Sequence, residues 1–124
     1  MNGRKPREVL IVEDEWLVRM ELADAFAALG FDVIESASAE HASAALRANP
    51  DVELLITDIR LAGRRNGWEL AIEARVVKPG IAVIYLSANP PAWDRMVQGG
   101  VFIDKPALMD RVTGTAVQLL EKAP

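Results

Sequence analysis

Short, unbroken apolar runs alternate along this chain with stretches whose apolar residues recur every three or four positions. The run Glu8-Val-Leu-Ile-Val12 is brief, β-branched and continuous, the pattern of a central parallel strand buried on both faces. The period then changes. Val18, Leu22, Ala25, Phe26 and Leu29 fall on one helical face, Arg19, Glu21 and Asp24 fall on the other, and Gly30 supplies a stop. The unit recurs as a strand over Asp32 to Ser36, a helix over Ala39 to Ala48 and a break at Asn49-Pro50. Leu54 to Asp58 reads as a third strand. After a loop holding Gly63 and Gly67, the residues Leu70, Ala71, Ala74 and Val77 predict a third helix that ends before Pro79-Gly80. Ile81 to Leu86 is a fourth strand, Ala92 to Gln98 a short fourth helix, and Gly99-Gly100 leads into a strand over Val101 to Asp104. A last helix is expected from Ala107 to Glu121, with Leu108, Val112, Ala116 and Leu119 inward. Strands alternating with helices in this way predict an α/β fold: a doubly wound, five-stranded parallel sheet with helices on both faces, joined by right-handed crossovers.

Composition narrows the classes. A chain of 124 residues, 51% hydrophobic, suits one domain over 1–124 with a basic, flexible tail at 1–7. With no linker, repeat or low-complexity tract, the expectation is a stand-alone unit whose output resides on another chain. A net charge of −4 argues against a dedicated nucleic-acid binder, which normally carries a basic face. The chain has no Cys and one His, His41, so a metal could be held only by oxygen. The apolar runs fall far short of the roughly 20 residues of a membrane span. Only four apolar residues follow the basic N-terminal stretch before Glu13, too few for a signal peptide. A cytoplasmic protein is expected.

In open α/β sheets ligands bind at the carboxyl ends of the strands, where strand order reverses. Those ends carry Glu13-Asp14, Asp58, Ser87 and Lys105. Crowded carboxylates repel one another unless a cation lies between them, and without thiol or imidazole partners the natural occupant is a hard, oxygen-seeking ion such as Mg²⁺. A carboxylate in such a place can also be a nucleophile, and Asp58 is the central candidate.

The acid pair Glu13-Asp14, Asp58 ending the third strand, Ser87-Ala88 after the fourth and Lys105-Pro106 after the fifth occur in the order of a known family. Over essentially its whole length the chain resembles the response-regulator receiver domain of two-component signalling, in particular stand-alone regulators of the chemotaxis type. The resemblance implies a flavodoxin-like strand order, 2-1-3-4-5. It implies that Asp58 takes a phosphoryl group from a phosphohistidine on a histidine kinase or a histidine phosphotransfer protein. Asp14 and Asp58 would ligate Mg²⁺ directly, Glu13 would act through metal-bound water, and the backbone carbonyl of Arg60 would add an oxygen. Lys105 would pair with the phosphate, Ser87 would hydrogen-bond it, and Ser87 and Phe102 would form the switch. A cis peptide bond would precede Pro106. The partners implied are the phosphodonor and a downstream protein target, with no nucleic acid or membrane, and a homodimer stays open. The role is that of a signalling receiver, not an enzyme acting on other substrates. General chemistry agrees, since phosphoryl transfer needs in-line positioning and neutralisation of spreading negative charge.

The chain departs from the family pattern in four places. Ala62 stands where the family usually has Pro, one extra residue precedes Gly67, Phe102 replaces the common Tyr, and Ser87 and Lys105 are closer by about one helical turn. Alternatives from other classes are weaker. A haloacid-dehalogenase-type, Mg²⁺-dependent phosphatase would want an Asp where Arg60 stands, and a flavodoxin-like phosphate cradle would be repelled by Glu13-Asp14-Glu15. An unphosphorylated receiver-like adaptor would not need Asp58, Ser87 and Lys105. Blander roles also exist for single residues: the acid run suits a helix N-terminus, and Ser87 suits a turn. Trp16, Trp68 and Trp93 suit partial packing, His41 a solvent-facing helix position, and Arg64-Arg65 a solvated loop.

Overall fold

The computed structural model describes residues 5–121. Five parallel strands form one sheet in the order β2-β1-β3-β4-β5: β1 (Glu8–Val12), β2 (Asp32–Ser36), β3 (Val52–Asp58), β4 (Ala82–Ser87) and β5 (Val101–Asp104). The α-helices are α1 (Trp16–Ala28), α2 (Ala39–Ala48), α3 (Gly67–Val77) and α4 (Met109–Glu121). This is the doubly wound arrangement and strand order that the sequence and its resemblance lead one to expect. Of the expected tail, residues 1–4 lie outside the described residues, and the Arg7 carbonyl already accepts from the Asp32 N–H at 2.8 Å.

Side chains of a strand alternate between faces, so a sheet covered on both sides needs apolar residues at every position. Val9, Ile11, Leu54, Ile56, Ile84, Leu86 and Ile103 pack with Leu22 and Phe26 of α1 and Val112 and Ala116 of α4. Leu10, Val12, Leu55, Val83 and Tyr85 face Leu46 of α2 and Leu70 and Ala74 of α3. The two cores explain the unbroken apolar runs.

Local signals set the helix ends. Ser38 accepts from the His41 N–H at the start of α2, and Asn66 and Glu69 form a reciprocal capping box at the start of α3. Gly30, at φ +89°, follows α1. Two inward positions were misread. Leu29 is exposed because α1 ends before it, and Ala23 takes a buried place instead. Leu108 is 78% exposed because α4 begins at Met109, which shifts the buried stripe to Val112, Ala116 and Leu120.

The larger correction lies between β4 and β5. In place of a fourth α-helix over Ala92 to Gln98, a single 3₁₀ turn spans Trp93–Arg95. The segment is too short to repay helix nucleation, with Pro90-Pro91 before it and Gly99 at φ +77° closing it. It packs directly on the sheet: Val97 N–H donates to the Tyr85 hydroxyl at 3.1 Å, and Gly100 lies so close to the Tyr85 ring that a Cβ would stand 3.0 Å from it.

Helices α2 and α3 are fastened by a polar cluster. Glu73 of α3 accepts from Ser43 and Arg47 of α2 and from Arg65 of the β3–α3 loop. Arg65 is thus not the solvated loop residue that its sequence context suggests. Burial alone would raise the Glu73 pKa, but the bonds from Ser43, Arg65 and Arg47 together outweigh it and hold the carboxyl below its ordinary 4.5. A lowered folded-state pKa means stability that is present above 4.5 and lost as pH falls through the folded value. Glu73→Gln is therefore expected to cost about 1.5–3 kcal/mol at neutral pH, the scale of hydrogen bonds to a charged group. Urea unfolding of both proteins should show the gap closing in the acid range. A gap that stays constant with pH would mean that ionisation of Glu73 contributes nothing.

Candidate functional site

The order 2-1-3-4-5 reverses direction at β1, which pairs with β2 on one side and β3 on the other. A crevice therefore opens beyond the carboxyl ends of β1 and β3. Into it project Glu13 and Asp14, just past β1, and Asp58, the last residue of β3. One oxygen from each of these three carboxylates lies within 4.8 Å of the other two. Glu13 is buried, Asp58 half-buried and Asp14 exposed.

Lys105, just past β5, reaches into the group. Its ammonium donates to Glu13 Oε1 at 2.6 Å and to Asp58 Oδ2 at 2.9 Å. The backbone holds the remaining oxygens: Glu15 N–H donates to Glu13 Oε2 at 3.1 Å, and Ile59 and Arg60 N–H donate to Asp58 Oδ1 at 2.6 and 3.3 Å. Asp58 is thus fixed at both oxygens. Gly67 lies against the same strand end, where its N–H donates to the Ile59 carbonyl at 2.8 Å and any Cβ would collide with the Asp58 carbonyl. Only glycine lets the first turn of α3 approach this closely.

Charge is not balanced here. Burial pushes Glu13 above its ordinary 4.5, the Lys105 bond opposes that rise, and the nearby Asp58 charge adds to it. For Lys105 burial works downward, but its bonds to Asp58 and Glu13 prevail and hold it above 10.5. Of the three acids, Glu13 and Asp58 share the one ammonium. The Asp58 charge disfavours the ionised form of Glu13, so a further cation would be stabilised. The donor set is oxygen only and includes an accessible Asp14, which suits a small hard divalent ion that keeps several waters. Glu13, Asp14 and Asp58 fit that group, and the Arg60 backbone lies on the same turn as Asp58.

Ser87 and Phe102 have partners other than the three carboxylates. Ser87 is buried at the end of β4, where its hydroxyl accepts from the Asn89 N–H at 3.1 Å, the turn role open to any such serine. Its carbonyl accepts from Lys105 N–H at 2.9 Å, tying the two loops. The Lys105–Pro106 peptide is cis. Phe102 is half-buried between two indoles: Trp68 stacks on it at 6.3 Å and 17°, and Trp93 meets it edge-on at 6.2 Å and 63°. Trp68 is buried, 4% exposed, and also touches Tyr85, a place that its sequence context does not reveal. Arg19 was also missed. Although it lies on the polar face of α1, its guanidinium returns to the Glu13 carbonyl at 2.7 Å and pairs with Glu35 at 3.2 Å.

The arrangement has known counterparts. Residues 9–115 match the family model described as the response regulator receiver domain. Aerobic respiration control protein ArcA of Escherichia coli K12 is 32% identical over 118 residues, covering 92% of this chain and 48% of ArcA. The chain thus spans about half the length of that relative. A response regulator receiver protein from Sinorhizobium medicae WSM419 has a similar structure, with a TM-score of 0.89 at 23% identity over 97% of this chain and 98% of that one. The receiver domain of the hybrid histidine kinase CckA has a TM-score of 0.80 at 29% identity, covering 91% and 98%.

The geometry makes Lys105 and a bound divalent cation rivals for the same oxygens. Lys105→Ala should lower the melting temperature in chelator, because the three acids then face one another without the ammonium that Glu13 and Asp58 share, and Mg²⁺ should raise the variant's melting temperature more than the wild type's. Differential scanning fluorimetry with and without Mg²⁺ reads both effects. Equal Mg²⁺ stabilisation of the two proteins would count against competition at Glu13 and Asp58.

Proposed function

The chain belongs to the response-regulator receiver family, and on that premise we propose that it accepts a phosphoryl group on Asp58 from a phosphohistidine with Mg²⁺ beside it. The observation that carries this reading is the single ammonium of Lys105 bonded to both Asp58 and Glu13, from loops that follow three different strands. An Asp58 carboxylate oxygen attacks phosphorus, an oxygen–phosphorus bond forms, and the phosphorus–nitrogen bond to the donor imidazole breaks with its electron pair leaving on nitrogen. Asp14, Asp58 and the Arg60 carbonyl would hold Mg²⁺ and Glu13 would act through its water, and the bound ion would supply neutralisation of phosphoryl charge. Lys105 turns its ammonium from the carboxylates towards the phosphate, and the Ile59 and Arg60 amides keep Asp58 aligned. The donor is a histidine kinase or a histidine phosphotransfer protein. Among the described residues a groove of about 310 Å³ lined by Val18 and Glu21 of α1 and by Ala88, Lys105 and Ala107 lies beside the site, and Trp16, Leu17 and Met20 of α1 are exposed. This surface suits docking of the donor.

The protein is a signalling module, with its own Asp58 as the substrate. In the proposed switch, phosphate draws the Ser87 hydroxyl away from Asn89 and towards a new acceptor, and Phe102 answers. Because Trp68 already stacks on the inner side of Phe102, the two rings move together. The target is a protein, and action in the cytoplasm is proposed on the family's behaviour; none of the described helices is long and apolar enough to cross a membrane.

Intact mass after incubation with Mg²⁺ and acetyl phosphate should rise by one phosphoryl group, and Asp58→Asn should abolish the gain. An unchanged wild-type mass would favour an unphosphorylated adaptor, while labelling that survives the substitution would move the acceptor elsewhere. A second outcome concerns the switch: Ser87→Ala should still gain phosphate, yet beryllofluoride should shift the Phe102 and Trp68 resonances less than in the wild type. Shifts of wild-type size would show that Ser87 does not transmit the signal.

A further inference from the structure

The loop that leaves Asp58 departs from the family pattern, and polar contacts to α2 and α3 fasten it. Between Asp58 and the Asn66 cap, it runs through Ala62, Gly63, Arg64 and Arg65. Ala62 bridges Ser38 at the entrance of α2. Gly63, at φ +97°, sits where any Cβ would strike the Glu40 carboxylate. Arg65 is the centre of the attachment. Its guanidinium bonds to Glu73 of α3 and to the Ser43 hydroxyl of α2, donates to the Ala39 carbonyl at 3.3 Å, and lies 3.6 Å from Glu40. A planar fork with five donors can serve several acceptors at once, which a lysine ammonium on a flexible stem does less well.

The far end of the same loop is the site itself. Arg60 N–H donates to Asp58 Oδ1, and Gly67 N–H closes the loop on Ile59. Between these closures the exposed segment has few apolar anchors, only half-buried Ile59 and Leu61 packing on the core.

We infer that Arg65 is a positioning residue for the Asp58 site: by fastening the β3–α3 loop to α2 and α3 it sets the Arg60 backbone, and through it the cation-binding oxygens. This rests on the proposed metal role of the Arg60 carbonyl, and it adds a residue that touches neither the metal nor the phosphate. It follows that α2, which contributes no ligand, influences the affinity of the site.

Charge and position predict different outcomes, which makes the role measurable. Arg65 is a cation on the loop that leaves Asp58, so if it acted by charge alone its removal would leave Mg²⁺ binding unchanged or strengthen it. If it positions the loop, Arg65→Ala weakens Mg²⁺ binding, by about tenfold, the lower end of what removing support behind a metal ligand costs. Arg64→Ala removes the same charge from an exposed neighbour and should leave binding unchanged or slightly tighter. Arg65→Lys should recover part of the loss. The measurements are Mg²⁺ titration followed by amide NMR shifts on the full chain, and hydrogen exchange at Ile59, Arg60 and Gly67, which should quicken in Arg65→Ala. If that variant does not fold, Ser43→Ala, which removes one acceptor of the guanidinium, should give a smaller change of the same sign. Mg²⁺ binding as tight as or tighter than the wild type's, with unaltered exchange, would overturn the positioning role. Failure of the wild type itself to bind Mg²⁺ would overturn the metal reading, and the exchange comparison would then decide whether Arg65 fastens the loop.

Discussion

Like charges gathered at one sheet edge must be compensated, and in this protein the compensation is one ammonium, Lys105, between Glu13 and Asp58. The bridge joins the ends of β1, β3 and β5, two of which are not neighbours of the third in the sheet. Burial makes the bridge costly to break: Glu13 has a side chain only 2% exposed, so little water is available to replace a lost partner. In the proposed function, a phosphoryl group on Asp58 would offer the same ammonium a further anionic partner.

Everything beneath that edge is built to hold strand ends still. Two apolar cores, one on each face of the sheet, immobilise the backbone from which the acids project. The first turn of α3 is pressed against the end of β3 through Gly67. Rigid strands and short loops place the carboxylates without asking their side chains to supply the order.

Two segments depart from the family pattern, the stretch between β4 and β5 and the loop after Asp58. A 3₁₀ turn stands where a helix was expected, and the space is filled by packing of Val97 and Gly100 on Tyr85 and by the row of aromatic rings from Tyr85 through Trp68 and Phe102 to exposed Trp93. Aromatic contacts of this kind have preferred geometries, so a displaced Phe102 would be felt by rings on both sides. The loop after Asp58 is anchored by Arg65, giving α2 and α3 a mechanical connection to the same strand end.

The chain pattern by itself determined the strand sequence, the parallel sheet covered on both faces and the identity of the residues at the strand ends, because unbroken apolar runs and the switch to helical period are local properties. Its resemblance to a family extended this to the strand order and to a cis bond before Pro106. Tertiary structure alone decided the rest. Residues such as Lys105 and Glu13 meet 92 positions apart, and the distance and sharing of one ammonium cannot be read from spacing. Leu29 and Leu108 satisfied the periodicity yet lie outside the helix ends that would have buried them. Ala92 to Gln98 had helical character but lacked the length to form a helix between prolines and glycines. Arg65 and Trp68 looked like surface or marginal residues because their partners, Ser43, Glu73 and Phe102, become neighbours only when the sheet and its two covering layers are assembled.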